Sequence, residues 1–160
     1  MEKQLFMVPT PTKFFLVKGS AEGYSELNAF DNALLKAGIG NTNLIRLSSI
    51  IPPKCQEIEP VSLPYGALIP TAYASISSSV PGELIASAIA VAIPQSPELP
   101  GVIMEHSAKK SLKEVQEEVT KMAEKALEFR NFAIKEIKSQ GCEWIVKTVG
   151  ATFAAAILWY

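Results

Sequence analysis

The clearest periodic pattern along the chain lies between Ser111 and Phe129. Apolar residues recur there at alternating steps of three and four, which is the spacing of one helix face, and Lys and Glu fill the opposite face. Ser111 and Glu114 have the spacing of a capping box, so the helix is expected to begin directly after Ser111. The pattern predicts a helix that covers a sheet of its own domain. Packing against a partner helix is the less favoured alternative.

Most other apolar runs are short and bounded by Pro or Gly, which is typical of strands. The first strand is predicted from Thr12 to Lys18. Ser25 then offers an N-cap for a helix that ends at Gly38. The next predicted strand, Asn41 to Ile51, is stopped by Pro52-Pro53, because proline cannot donate to a sheet ladder. The further strand predictions are Ala67 to Val80, Leu84 to Ile93, Gly101 to Glu105, Phe132 to Ile137, Glu143 to Thr148 and Thr152 to Tyr160.

Strands therefore outnumber helices, and each predicted helix has one apolar face. The packing of layers then predicts an α+β sandwich, with sheets packed together and helices outside. The chain has 160 residues without an internal repeat, a low-complexity tract or a charged linker, so we expect one domain, residues 1–160. The hydrophobic fraction of 48% is high and the charged fraction of 19% is low. Subunit contacts are expected to cover some of the apolar surface.

Charge and cysteine content narrow the classes of function. The net charge of -1 offers no field that would gather nucleic acid or an anionic membrane, so a small-molecule partner is favoured. Cys55 and Cys142 are too few for a disulfide framework, and we expect reduced thiols in a cytoplasmic protein. Pro9 and Pro11 interrupt the only early apolar run, so no signal peptide is expected. The later apolar runs are too short to span a bilayer.

Two adjacent hydroxyls, Ser48 and Ser49, interrupt the apolar strand shortly before its proline stop. Taken alone, such a pair is ordinary turn chemistry. Nearby Gly38 and Gly40 do not form a phosphate cradle, because a third glycine and a Lys-Ser/Thr pair are missing. The serine pair acquires a function only from its wider context.

Two carboxylates and one histidine stand in apolar surroundings. Asp31 is in helical register with Leu27 and Leu34, so we expect it inside the apolar stripe, where a buried charge needs a cation. On the residues alone, a cation of the protein is favoured over a cationic ligand. Glu105 ends an apolar strand, where desolvation would raise its pKa and suit it to general acid catalysis; a solvated glutamate is equally common there. His106 is the only histidine, so neither a metal site nor a catalytic triad is predicted.

Five segments together closely resemble the pyruvoyl-dependent arginine decarboxylases, nearly from end to end. The stretch around Ser48-Ser49 is highly specific, whereas the amphipathic helix is not. The segments are NAFDNALLKAGIGNTNLIRLSSIIPP (28–53), LPYGALIPTAYASI (63–76), PGELIASAIAVAIP (81–94), GVIMEH (101–106) and ATFAAAILWY (151–160).

This resemblance implies a four-layer αββα sandwich and self-cleavage between Ser48 and Ser49. The Ser49 hydroxyl would attack the carbonyl of Ser48, and ester formation, elimination and hydrolysis would leave a pyruvoyl group at residue 49. The products would be a β chain of residues 1–48 and an α chain of residues 49–160. The pyruvoyl group would be the electron sink in place of PLP, and no metal would be needed. Asn43 matches a residue of the family that takes part in processing.

The resemblance also implies roles in the conversion of L-arginine to agmatine and CO2. Glu105 matches the family's proposed acid, which would protonate the former α-carbon. Asp31 would face the substrate guanidinium. With the resemblance included, a cationic ligand is therefore favoured over a cation of the protein as the partner of Asp31. Leu34 and Ile50 would line the methylene stem. The resemblance further implies trimers of cleaved protomers, sometimes paired, with active sites between subunits. A homotrimer or a dimer of trimers is therefore expected.

Two alternatives stay open at this point. The first is a pyruvoyl-dependent decarboxylase for another amino acid, such as histidine or aspartate, although Asp31 argues against an acidic substrate. The second is an uncleaved homologue that binds a cationic metabolite without catalysis. The product would feed polyamine synthesis or its formation would consume acid, and the residues do not decide between these purposes.

Overall fold

The structure is a computed structural model that describes residues 8–160. Two β-sheets form the centre of the molecule. The first sheet has the strand order β2-β5-β9-β1-β4 and the second the order β3-β7-β6-β8. The elements in chain order are β1 (Lys13–Glu22), α1 (Glu26–Lys36), β2 (Asn43–Arg46), β3 (Ile50–Ile51), β4 (Gln56–Glu57), β5 (Leu68–Ser78), β6 (Leu84–Pro94), β7 (Gly101–Ala108), α2 (Leu112–Glu128), β8 (Ile134–Ile145) and β9 (Gly150–Trp159).

Three apolar cores separate four layers. Ala33 of α1 packs on the outer face of the first sheet, against Phe153. Ile103 and Leu158 lie in the core between the two sheets. Val115 of α2 covers the outer face of the second sheet. The α+β sandwich predicted from the pattern, and the αββα layering implied by the resemblance, are both confirmed.

Both helices begin where the sequence predicts. The Ser25 side chain accepts from the backbone N–H of Asn28, and Gly38 follows the end of α1 at φ 83°. Ser111 and Glu114 form the predicted capping box at the start of α2. α2 covers a sheet of its own chain, as predicted, with its Lys and Glu residues facing outward.

The helix α1 lies unusually close to β1 at Gly19. A Cβ atom added at Gly19 would stand 2.2 Å from the carbonyl oxygen of Ala33 and 2.8 Å from the backbone nitrogen of Ala37. We expect Gly19→Ala to push α1 off the sheet and to lower the free energy of unfolding by about 1–3 kcal/mol, the usual cost of overpacking. Denaturant titration measures this, with Ser20→Ala as the neighbouring control. Equal stability of the two variants would contradict the tight packing.

The strand β8 corrects one prediction. Phe132 to Ile137 and Glu143 to Thr148 were predicted as separate strands, but residues 134–145 form one continuous strand. The polar stretch between them does not turn, since Gly141 pairs with Ala88 on β6. A Cβ at Gly141 would stand 2.5 Å from the carbonyl oxygen of Ser87, so the glycine permits a close approach of two strands and does not mark a turn.

A second correction concerns the single strand predicted from Asn41 to Ile51. The chain instead forms β2 in the first sheet and β3 in the second, and it crosses between the sheets over residues 47–49. Leu44 packs against the α1 core, whereas Leu47 and Ile51 pack in the core between the sheets. The apolar residues of this segment therefore belong to two different cores, and the serine pair lies at the crossing.

Candidate active site

The crossing segment is anchored on both sides of Ser48. The backbone N–H of Leu47 donates to the carbonyl of Thr71 at 3.0 Å, which is the last backbone rung between β2 and β5. The N–H of Ile103 on β7 donates to the carbonyl of Ser49 at 2.8 Å. Ser48 lies between these anchors and pairs with neither sheet. The Ser48–Ser49 peptide is therefore fixed in place without being shielded by a ladder.

A pocket of about 290 Å³ opens beside this peptide. Ser48 and Ser49 line it, and its other walls are mostly apolar. These walls include Pro9 and Pro11 of the N-terminal segment, Ile50, and Leu158 and Tyr160 at the other end of the chain. The pocket is open to solvent in the single chain, since Ser48 is exposed and Ile50 is 38% exposed.

Glu105 lies close to Ser49 on the same face of the second sheet. The register of β3 and β7 places Ser49 opposite Ile103, and Glu105 follows two residues later. Side chains two apart on a strand share a face, so Glu105 points toward the core between the sheets, as Ile103 does. Such diagonal neighbours in an antiparallel pair have Cα atoms about 7–8 Å apart. The site thus contains an acid within reach of residue 49.

The Glu105 carboxyl is partly desolvated, with its side chain 25% exposed. Burial raises the pKa of this carboxyl, and the guanidinium of Arg46, whose Nη2 lies 3.9 Å from Oε1, partly offsets that rise. A raised pKa keeps more of the acid protonated near neutral pH. The prediction of a desolvated acid is therefore correct, but Glu105 does not end its strand, since β7 continues through pairing with β6 to Ala108.

Asp31 does not lie where its helical register predicts. The buried face of α1 is formed by Ala29, Ala33 and Leu34, and Asp31 is exposed. At 100° per residue, Asp31 stands about 200° from Ala29, which turns it away from the sheet. Leu27 is 75% exposed on the same outward side. The expectation of a buried carboxylate that needs an internal cation was therefore wrong.

The two residues predicted to line the substrate stem occupy different surroundings. Ile50 is the first residue of β3, pairs with Val102 and lines the pocket beside Ser49. Leu34 is buried in the core between α1 and the first sheet, with its carbonyl accepting from the N–H of Ile39. Their contact with a substrate stays a prediction for both.

Asn43 stands at the far end of β2 from the serine pair. Its side-chain Nδ2 donates to the carbonyl of Gly66 at 3.0 Å. Five extended residues span about 16 Å, so the strand separates Asn43 from Ser48 within one chain. Its role in processing stays a prediction, and a neighbouring subunit would have to bring the two together.

Sequence reasoning missed Arg46. Its Nη2 donates to the carbonyl of Tyr73 at 3.2 Å, and its guanidinium carbon lies 4.5 Å from the centroid of the Tyr73 ring. The same group forms the ion pair with Glu105. A basic residue two positions before the serine pair, in an otherwise apolar strand, is the signal that could have indicated it.

Ser49 and its surroundings fit a pyruvoyl group at position 49. Ser49 supplies the hydroxyl and the carbon atoms from which such a group is made, and the Ile103 N–H holds the carbonyl that would stand next to the ketone. Within residues 8–160, no group of three His, Cys, Asp or Glu side chains could hold a metal ion. Over the same range, no helix is both long and apolar enough to cross a bilayer.

Comparison with known proteins gives the class of this chain. A family model described as pyruvoyl-dependent arginine decarboxylase matches residues 13–159. The chain is 51% identical to the pyruvoyl-dependent arginine decarboxylase of Methanocaldococcus jannaschii over 150 residues, which cover 94% of this chain and 91% of the relative. It is 46% identical to that of Methanococcus vannielii over 97% and 94% of the two chains, and 41% identical to that of Pyrococcus abyssi over 94% and 96%.

The chain belongs to the family of pyruvoyl-dependent arginine decarboxylases, and the resemblance seen in its sequence is confirmed. It is accordingly a carboxy-lyase whose family uses a covalent pyruvoyl group.

Proposed function

We propose that this chain converts L-arginine to agmatine and CO2 with a pyruvoyl group that it makes from its own Ser49. The observation that carries the proposal is the position of the Ser48–Ser49 peptide at the crossing between the sheets. It is anchored by Thr71 and Ile103, and the half-buried Glu105 lies a diagonal step away. Membership in the family supports arginine as the substrate.

Self-cleavage is the first chemical step of the proposal. The Ser49 Oγ attacks the carbonyl carbon of Ser48, and the C–N bond breaks to leave an ester and a free amine. Loss of the Ser49 α-proton then expels the Ser48 carboxylate and leaves a dehydroalanine. Addition of water and loss of ammonia give the pyruvoyl group. The anchors at Leu47 and Ser49 hold hydroxyl and carbonyl together, which a weak nucleophile requires.

During turnover, the pyruvoyl group supplies the electron sink for loss of CO2. The Ile103 N–H donates to the carbonyl of residue 49 and so stabilises negative charge on that oxygen. Glu105 holds a proton on the same side of the sheet and delivers it to the former α-carbon. The pocket beside residue 49 is mostly apolar, so that it excludes bulk water from the reacting atoms once a neighbouring subunit and the substrate cover it.

The site is completed by a second copy of the chain. Asp31 faces outward on α1 between Leu27 and Leu35, which are 75% and 49% exposed, whereas Glu105 lies between the sheets. An apolar stripe of this kind favours contact with another subunit. The Asp31 carboxylate of one subunit would then pair with the guanidinium of arginine bound beside residue 49 of its neighbour. A homotrimer, or a dimer of trimers, in the cytoplasm fits this arrangement.

The proposal is tested by incubating the purified chain separately with arginine, histidine, ornithine, lysine and aspartate. Agmatine and CO2 are expected from arginine alone, and denaturing mass spectrometry is expected to show fragments of residues 1–48 and 49–160. Release of CO2 from another amino acid in place of arginine would contradict the substrate. A single intact chain with no decarboxylation would favour the uncleaved binding protein.

Asp31→Ala is expected to damage substrate binding far more than chemistry. A paired, charge-assisted hydrogen bond contributes about 1.5–3 kcal/mol, so KM for arginine should rise about tenfold or more with a much smaller change in kcat. Steady-state kinetics measures this. Glu26→Gln, another acidic residue of α1, is the control and should leave KM near that of the wild type. An unchanged KM in Asp31→Ala would exclude Asp31 as the guanidinium anchor.

A further inference from the structure

The strand β5 has an open edge beyond the point where β2 leaves the first sheet. Leu47 makes the last backbone rung, from its N–H to the carbonyl of Thr71. Carbonyls that point to one edge of a strand recur at every second residue, so the next ones along β5 belong to Tyr73 and Ser75. Strand-edge groups of this kind need partners other than a neighbouring strand.

Two side chains take the place of the missing rungs. Arg46 Nη2 donates to the carbonyl of Tyr73 at 3.2 Å, and Ser107 Oγ of β7 donates to the carbonyl of Ser75 at 3.2 Å. The Tyr73 ring also packs against the Arg46 guanidinium, at 4.5 Å from its centroid. Arg46 is therefore held by β5 independently of Glu105, even though its side chain is 59% exposed.

Glu105 lies between these two side chains, Arg46 and Ser107. It shares a face of β7 with Ser107, and its Oε1 lies 3.9 Å from Arg46 Nη2. This distance is long for a hydrogen bond and suits an interaction between charges. A guanidinium fixed by β5 therefore approaches a carboxyl fixed by β7.

The other elements packed around Glu105 bring few titratable groups to this face. On β6 its partner is the apolar Ile89, and β9 contributes alanines to the core between the sheets. From β5 the inward residue is Ala72, whereas Tyr73 lies on the opposite face of the first sheet, in the core under α1. His106 follows Glu105 on β7 and points to the opposite face. Among the described residues, the ion pair within 4 Å of Glu105 is the one with Arg46.

We propose that Arg46 is a positioning residue for Glu105: its guanidinium, fixed on β5, places a positive charge beside the carboxyl near Ser49 and thereby tunes this carboxyl as a proton donor. The role in turnover rests on the proposed function. Burial and the guanidinium act on the pKa of Glu105 in opposite directions, upward and downward respectively. A carboxyl that is only buried would be a poor proton donor, and one that is only paired would be deprotonated near neutral pH. Arg46 keeps the acid between these limits.

The first test needs no catalysis, because it uses the uncleaved form that is expected for Ser49→Ala. Glutamate labelled with ¹³C at its carboxyl is titrated by NMR, and Glu105→Gln assigns the signal. Adding Arg46→Gln is expected to raise the midpoint of Glu105, because the guanidinium lowers it in the wild type; the rise should be smaller than for a buried pair because the guanidinium is exposed. Arg46→Lys keeps the charge and should stay closer to the starting value. An unmoved midpoint in Arg46→Gln would overturn the proposal.

Two controls accompany the titration. Arg130→Gln removes the chain's only other arginine, whose Nη1 donates to the carbonyl of Ala126 at the end of α2, and should leave the Glu105 midpoint in place. Raising the salt to about 1 M shortens the screening length to about 3 Å and should raise the midpoint without any substitution in Arg46. If the titration midpoint of Glu105 is the same at low and high salt, the proposal is overturned, even where Arg46→Gln fails to fold.

The second test uses the cleaved enzyme. Arg46→Gln should lower kcat, shift the high-pH limb of its pH profile upward by the amount found in the titration, and leave KM for arginine within about twofold of the wild type. A lower kcat with an unmoved limb would identify a merely structural role and overturn the proposal. A wild type that releases no agmatine would contradict the proposed function, while the titration would still decide the role of Arg46.

Discussion

Ser49→Ala is expected to remain a single chain of 160 residues and to release no detectable agmatine. The substitution removes the only atom that can attack the Ser48 carbonyl from residue 49, and with it the source of the pyruvoyl group. The surrounding anchors, from Leu47 to Thr71 and from Ile103 to the carbonyl of residue 49, are backbone hydrogen bonds that alanine leaves intact. The variant should therefore fold normally and lose all activity.

Denaturing mass spectrometry and an agmatine assay measure the two effects on the same sample. Ser62→Ala removes an exposed hydroxyl elsewhere and should cleave and turn over as the wild type does. Cleavage of Ser49→Ala at the same bond, or activity in the intact chain, would contradict the proposed origin of the pyruvoyl group.

Glu105→Gln is expected to cleave at the wild-type bond and to lower kcat about 10²–10⁴-fold, which is the usual contribution of a general acid. The amide has nearly the shape of the carboxyl, so it fills the same space between the sheets, but it carries no acidic proton. Burial raises the pKa of Glu105, so the protonated acid of the wild type is present at low pH and is lost as the pH rises through that raised value. The wild-type kcat should accordingly fall on the alkaline side, and the variant should lack this limb.

Glu98→Gln is the matched control, since Glu98 forms an exposed ion pair with Lys54 in the loop before β7. It should leave both the rate and the pH profile nearly unchanged. A Glu105→Gln enzyme with a wild-type rate and an intact alkaline limb would remove Glu105 from the proton transfer.

Local signals in the sequence predicted much of the fold. Ser25, Gly38 and the capping box of Ser111 and Glu114 mark helix ends through hydrogen bonds within a few residues, and the structure confirms each of them. Strand predictions failed where the decisive contact is distant. Gly141 resembles a turn residue until its close approach to Ser87 is known.

The candidate site was only partly predictable for the same reason. The serine pair and Glu105 stand out as polar residues in apolar strands, but their proximity depends on the crossing between the sheets, which brings Ser49 opposite Ile103. Asp31 illustrates the limit of helical periodicity. Its spacing from Leu27 predicted a buried position, but Leu27 is itself exposed on the side of α1 that faces away from the sheet. Arg46 reaches Glu105 around the edge of β5, and no spacing in the sequence encodes that path.

The proposed cleavage between Ser48 and Ser49 would give the crossing a further consequence. Residues 1–48 supply β1, which lies between β9 and β4 of the other fragment, and β2, which pairs with β5. The two fragments are therefore interleaved, and they cannot separate without the first sheet coming apart. Cutting leaves the native contacts in place but frees two independent coils on unfolding, the reverse of a crosslink. The melting temperature of the mature enzyme should consequently rise with its concentration, and renaturation should require the fragments to find each other.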